Sequence, residues 1–241
     1  MKKYFITFGA GGQNFIDAGN RLIQQAKSLE LFDVLKFYTE IDLKIDKEFW
    51  NKHKMFITTN RRGYGYWLWK SYIIKQTMNI MSEGDILLYL DCGCEIDIIK
   101  KPKMIECFDI VKKDYIVGSQ TCNEQGWNKM DLLLHLDMNK PPYLITKQRQ
   151  GGTNMFLLNT QTKQLVDEWY SISCNYHMID DSPSIAPNLP CFKEHRHDQS
   201  IFSLLTKKYN LYSDHNITEC VEILRNKQGK SKLIMPVIDD L

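Results

Sequence analysis

The chain has 241 residues, 43% hydrophobic and 25% charged, with 31 Lys and Arg against 29 Asp and Glu for a formal charge of +2. This length and composition, undivided by any low-complexity or Pro/Gly-rich linker, predict one domain spanning residues 1–241. The near-neutral charge removes composition as an argument for nucleic acid or an acidic membrane surface as partner, and no run of about 18 apolar residues is present to span a bilayer.

The seven cysteines are odd in number and form no Cys-x-x-Cys pair, so neither a zinc ribbon nor a disulfide framework is indicated. Met1 to Phe5 runs directly into a strand pattern without an apolar leader, and the expectation is a cytoplasmic chain with reduced thiols. Asn216-Ile217-Thr218 matches a glycosylation sequon and, without a secretory route, reads as chance.

Tyr4 to Phe8 is a β-prone run closed by Gly9-Ala10-Gly11-Gly12 and followed by Phe15, Ala18, Leu22, Ala26 and Leu29 at helical spacing. Strand, glycine turn and amphipathic helix make the opening unit of an α/β domain with a parallel sheet. Asn14 stands where a dinucleotide fingerprint needs its third glycine, so the turn reads as a close backbone approach, with a nucleotide base as one candidate ligand. Val34 to Tyr38 predicts a second strand, and Glu40 to Met55 a loop with a short helix. Arg61 to Lys70 holds four aromatics, two glycines and three cations, and leads into a helical pattern over Ser71 to Met81.

Gly84 to Glu95 then reads as a buried central strand that delivers Asp91 to its C-terminal end, where open α/β sheets bind ligands. Asp114 to Gly118 predicts another strand, and 119–150 a polar region with one helix around Met130 to Leu136. Gly151 to Asn159 reads as a glycine turn plus strand, and Thr160 to Tyr170 as a helix. Three prolines make 181–190 irregular, and His195 to Gln199 opens a last helix with Ile201, Phe202, Leu204 and Leu205 as its core side. Lys227 to Lys232 is basic and read as exposed.

Several of these residues have both a chemical and an ordinary reading. Asp91 suits a divalent cation held against a diphosphate, and equally a helix cap or turn. Lys70, with Arg61 or Arg62, supplies positive charge near a helix start, or else snorkels to solvent. Tyr66, Trp67 and Trp69 stack on a ligand ring or fill the core. Cys92 and Cys94 fit small buried residues better than soft-metal ligands. His195, His197 and Asp198 admit three readings: metal ligands, an acid/base group, or a polar loop with Asp198 capping the helix.

Gly65-Tyr66-Trp67-Leu68-Trp69-Lys70, followed by Gly84-Asp85 and the run Tyr89-Leu90-Asp91-Cys92-Gly93-Cys94, resembles small bacterial capsule-type and viral sugar transferases of the GT-A architecture. More distantly, Asp91-Cys92-Gly93, Gly151-Gly152-Thr153-Asn154 and Asp198-Gln199 are similar to stretches of glycogenin-type retaining transferases. The resemblance implies a single GT-A, Rossmann-like α/β domain whose mainly parallel central sheet is flanked by helices. It also implies transfer of a sugar from a nucleotide diphosphate donor, UDP-linked, to a hydroxyl of a glycan or glycoprotein, with metal assistance and retention of configuration.

On that resemblance Asp198 and Gln199 are the catalytic pair. Thr7, Phe8, Gly9, Tyr66, Lys70, Asp91, Gly152 and Thr153 bind the donor. Asp91 with His195 and His197 holds Mn²⁺ or Mg²⁺. One departure stands out: Gly93 occupies the position of the second acid of Asp-x-Asp. The alternatives are a non-catalytic nucleotide-sugar-binding module and a metal-dependent phosphohydrolase, the latter requiring an all-helical domain.

Overall fold

In this computed structural model, which describes residues 1–233, apolar alternation on a two-faced sheet organises the chain. β1 (Lys3–Gly9) turns Tyr4, Ile6 and Phe8 into one apolar cluster and Phe5 into another on the opposite face. α1 (Gln13–Ser28) lays Ala18, Leu22 and Ala26 on the second face, and β2 (Val34–Thr39) pairs parallel to β1.

The next stretch is more helical than the expected loop with a short helix. It forms two helices, α2 (Glu40–Ile45) and α3 (Lys47–Thr59). Thr39 and Asp42 form a capping box at the first, and the Asp46 carboxylate accepts from Phe49 N at the second. Phe49, His53 and Ile57, four residues apart, make the buried stripe of α3.

α4 (Gly63–Tyr66) is one turn of unusual backbone, and α5 (Leu68–Asn79) carries the chain to β3 (Ile86–Leu90). β4 (Glu95–Ile96), α6 (Lys101–Asp114), β5 (Ile116–Asn123), α7 (Met130–His135), α8 (Pro141–Leu144), β6 (Lys147–Leu157), α9 (Thr160–Ser173), α10 (Asp198–Lys208) and β7 (Val221–Glu222) follow.

The main sheet has the order β2-β1-β3-β6-β5. β2, β1 and β3 run parallel, while β6 is antiparallel to both of its neighbours. The α/β expectation therefore holds, with a sheet that is mixed through one reversed strand. Because β6 starts at Lys147, Gly151 and Gly152 lie inside a strand and not in the turn read from sequence. A five-stranded sheet also removes the all-helical domain that the phosphohydrolase reading required. β4 and β7 form a separate antiparallel pair that ties residues 221–222 to the end of the β3 turn. No helix among the described residues is long and apolar enough to cross a membrane.

Gly63, Tyr64, Gly65, Tyr66 and Trp67 all have positive φ, between 50° and 86°. For the three non-glycines this costs roughly 1–2 kcal/mol each. The turn is held by Gly65 N donating to Asn60 O (2.8 Å), Trp69 Nε1 donating to Gly63 O (2.9 Å) and Tyr64 OH donating to Glu40 Oε2 (2.7 Å).

A Cβ at Gly65 would lie 2.8 Å from Ile57 Cγ1 and 3.0 Å from its Cα. Gly84, with a φ of 85°, has nothing within 4 Å of that position. Gly84→Ala is expected to cost about 1 kcal/mol through backbone conformation alone, and Gly65→Ala at least about 2 kcal/mol. Thermal unfolding checks this, at roughly 2–4 °C per kcal/mol for a chain of this size; equal losses would contradict the packing argument.

Candidate functional site

The C-terminal ends of β1 and β3 open into a cleft of about 730 Å³. The left-handed turn leading into α5, Gln150, Gly152 and Thr153 of β6, residues 194 and 196–199 leading into α10, and Arg225 with Lys227 also line it. At its floor Lys70 is 3% exposed. Its Nζ lies 2.9 Å from Asp198 Oδ2 and 3.3 Å from Asp91 Oδ1. Asp198 is as buried as the lysine, whereas the Asp91 side chain is 42% exposed and faces the cleft.

Each member of this triad is positioned by a different element. Lys70 sits in the first turn of α5 because its N–H donates to Trp67 O, the last residue of the left-handed turn. Asp91 follows β3 and donates its N–H to Gly152 O at 2.8 Å, extending the β3–β6 ladder by one step, while Tyr89 OH donates to Asp91 Oδ1 at 2.5 Å. Asp198 opens α10 after His197, whose φ of 54° turns the chain into the helix.

The two glycines of β6 allow the approach. A Cβ at Gly152 would lie 2.4 Å from Asp91 Oδ2, and one at Gly151 would lie 2.9 Å from Asp198 Oδ2. Gln199 Oε1 accepts from Gly151 N (3.3 Å), and its amide donates to Gln148 Oε1 (2.6 Å). Gln148 in turn donates to the buried Glu124 carboxylate (2.9 Å).

Burial is the largest influence on Asp198 and pushes its carboxyl up; Lys70 offsets only part of this, leaving it at about 6. For Lys70 burial opposes the charge, but Asp198 and Asp91 outweigh it and the ammonium is held above its ordinary value. Burial, then the Asp91 charge, raises the Tyr89 phenol well above its usual range, so it stays a neutral donor.

Of the residues expected at a donor site, Phe8, Lys70, Asp91, Gly152, Thr153, Asp198 and Gln199 line this one cleft. Thr7 and Gly9 do not. β1 continues through Gly9, so both are paired with β2, and the Thr7 hydroxyl donates to Leu90 O (2.7 Å). Phe8, stacked on Trp69 with ring centroids 3.8 Å apart, and then Ala10 and Gly11, face the cleft in their place. Tyr66 is also outside the lining, packed between Phe56 and His197.

The donor set does not suit a divalent cation. His195 lies apart from Asp91, its Nδ1 accepting from Lys129 N (3.2 Å) and its Nε2 donating to Met178 O (2.9 Å), so neither ring nitrogen has a free lone pair. Burial lowers its pKa to about 3. His197 reaches the cleft with Nδ1 bound to Ile179 O (2.8 Å) and Nε2 without a hydrogen-bond partner, so it offers one free ring nitrogen, though no group of three ligands forms around it. Among the described residues no three His, Cys, Asp or Glu side chains form a group able to hold a metal ion.

Sequence reasoning missed Arg225 and Lys227, which line the cleft, and Arg21, which is buried and organises its far wall. Arg21 donates to Cys92 O (2.9 Å), Cys94 O (2.8 Å) and Gln228 O (2.6 Å). Its signal was an arginine on the apolar face of α1, beside Ala18 and Leu22. Lys227 carried no local signal beyond a basic run.

No protein-family model matches this chain, and no curated protein matches it. Solved structures similar to it include two glycosyltransferases. The crystal structure of mouse xyloside xylosyltransferase 1 in its apo form aligns at 11% identity over 87% of this chain and 83% of that one, with a TM-score of 0.44. A glycosyltransferase involved in the glycosylation of the major capsid of PBCV-1 aligns at 13% identity over 90% of this chain and 80% of that one, with a TM-score of 0.43.

Asp198 binds its proton more tightly in the fold than at its ordinary value of 3.8. It therefore favours folding below about pH 4, and that contribution is lost as pH rises through about 6. Paired denaturant titrations of wild type and Asp198→Asn are expected to show their stability difference moving in the variant's favour across this window. A pH-independent difference would contradict the raised carboxyl.

Proposed function

We propose that the chain is a glycosyltransferase that moves a sugar from a nucleoside diphosphate donor, UDP-linked, to a hydroxyl of a glycan or glycoprotein. The observation that carries this reading is the Lys70 ammonium held between Asp91 and Asp198 at the floor of a cleft lined by six lysines and arginines against three carboxylates. Such a cleft attracts an anion, and a fixed cation at its floor stabilises charge that develops on a departing diphosphate. The apolar end, with Phe8, Phe15 and Tyr64, suits a base or ribose face.

In the reaction the bond from the anomeric carbon to the diphosphate oxygen breaks, its electron pair leaving with the diphosphate, and the acceptor oxygen bonds to that carbon. The acceptor proton passes to the departing diphosphate. Asp198 and Gln199 border the sugar in this reading, orienting it and facing positive charge at the anomeric carbon. Asp198 is 4% exposed and ion-paired to Lys70, so an incoming acceptor hydroxyl has little access to its carboxylate, which favours retention over base-assisted inversion.

The test is release of free nucleoside diphosphate from a panel of nucleotide sugars with glycan acceptors, with the product anomer read by proton NMR. Lys70→Ala is expected to lower kcat by about 10²–10³-fold, since it removes a charge that acts in the transition state. Wild-type rates for both Asp198→Ala and Gln199→Ala would overturn the sugar-site assignment. Donor binding without turnover would instead indicate a nucleotide-sugar-binding module.

A further inference from the structure

The position of the missing second acid is filled by the chain itself. A Cβ at Gly93 would lie 3.1 Å from Arg225 Cα and 3.3 Å from its carbonyl carbon, so any side chain there presses on that backbone. The contact is built, not incidental. Asn226 N donates to Gly93 O (2.8 Å), and Asn226 Nδ2 donates to the buried Glu95 (2.7 Å). Glu95 also accepts from Lys232 N (2.9 Å) and lies in β4, which pairs with β7. Arg21 joins both sides of the contact through the carbonyls of Cys92, Cys94, Asn226 and Gln228.

This docking brings Arg225 and Lys227 to the cleft on the side of Asp91. Arg225 has a φ of 50°, a conformation that its flanking contacts must hold. Among the described residues neither side chain has a carboxylate partner within ion-pair distance, in contrast to Arg62, which meets Asp181 and Glu194. Where a metal-binding strand end would carry a second carboxylate, the cleft has two cations with no carboxylate partner among the described residues, Lys227 lying over the Phe15 ring at 5.2 Å. A divalent ion at such a site takes one or two carboxylates beside water and phosphate oxygens, and the carboxylate this strand end offers, Asp91, already faces an ammonium and a phenol through one of its two oxygens.

We infer that the donor diphosphate is bound and neutralised by side chains, with Arg225 and Lys227 on the phosphates and Lys70 at the leaving oxygen, in place of a divalent cation. This rests on the glycosyl-transfer reading above. The guanidinium can fork across two phosphate oxygens, and the ammonium of Lys227 acts as a point charge.

The experiment is calorimetric titration of UDP, ADP, GDP and uridine into the full chain, once with Mn²⁺ and once with EDTA. The expected result is a UDP Kd that differs by less than about threefold between the two conditions. Arg225→Ala and Lys227→Ala should each weaken UDP by roughly tenfold, and Lys227→Arg should restore it, while uridine binding is unchanged throughout. Both positions are exposed, so their loss leaves the core intact. Binding of UDP only with Mn²⁺, or unaltered affinity in both alanine variants, overturns the inference and leaves the transferase reading standing. Failure of UDP, ADP and GDP to bind in either condition overturns both.

Discussion

An ammonium buried between two carboxylates is the constraint on which the site depends. Lys70 and Asp198 are both removed from water, and taking either charge out of solvent alone would cost several kcal/mol. Each is tolerable because the other is within 2.9 Å, with Asp91 at 3.3 Å as a second counter-charge. Three elements, α5, β3 and α10, must meet within these distances, so the triad joins two helices of one face to the sheet at the cleft floor. Asp91 alone keeps substantial exposure, leaving one carboxylate in contact with whatever enters.

Small residues make that meeting sterically possible. Glycine inside a strand ordinarily weakens it, and Gly151-Gly152 in the middle of β6 would be a poor choice for sheet stability. Their absent side chains are where the two carboxylates lie. Gly93 serves the same purpose for the backbone of Arg225. The left-handed turn from Gly63 to Trp67 is a related expense in conformational energy, offset by its packing against α3 and by the bonds of Tyr64 and Trp69. It ends where α5 begins, and so determines where Lys70 points.

Behind the cleft lies a second polar layer. Gln199 leads through Gln148 to Glu124, which also accepts from Asn128, Ser203 and Lys207. Buried networks of this kind hold side-chain orientation. Arg21 and Glu95 do the same on the other wall, joining α1, the turn after β3 and residues 226–232. The cleft is thus backed on two sides by hydrogen-bonded charge.

The alternation in Tyr4 to Phe8, the apolar run before Asp91, the stripe of α1 and the acid opening α10 determined the α/β class, the central strand and most of the cleft floor from sequence. These are signals carried within about ten residues. A capping box at Thr39 was equally local and marked the first of two helices where a loop with one short helix was expected. Other features depend on contacts between residues far apart in the chain. The reversal of β6, the commitment of both His195 nitrogens to backbone, and the arrival of Arg225 against Gly93 were decided by tertiary structure, because no local pattern records which backbone will fill the space a glycine leaves.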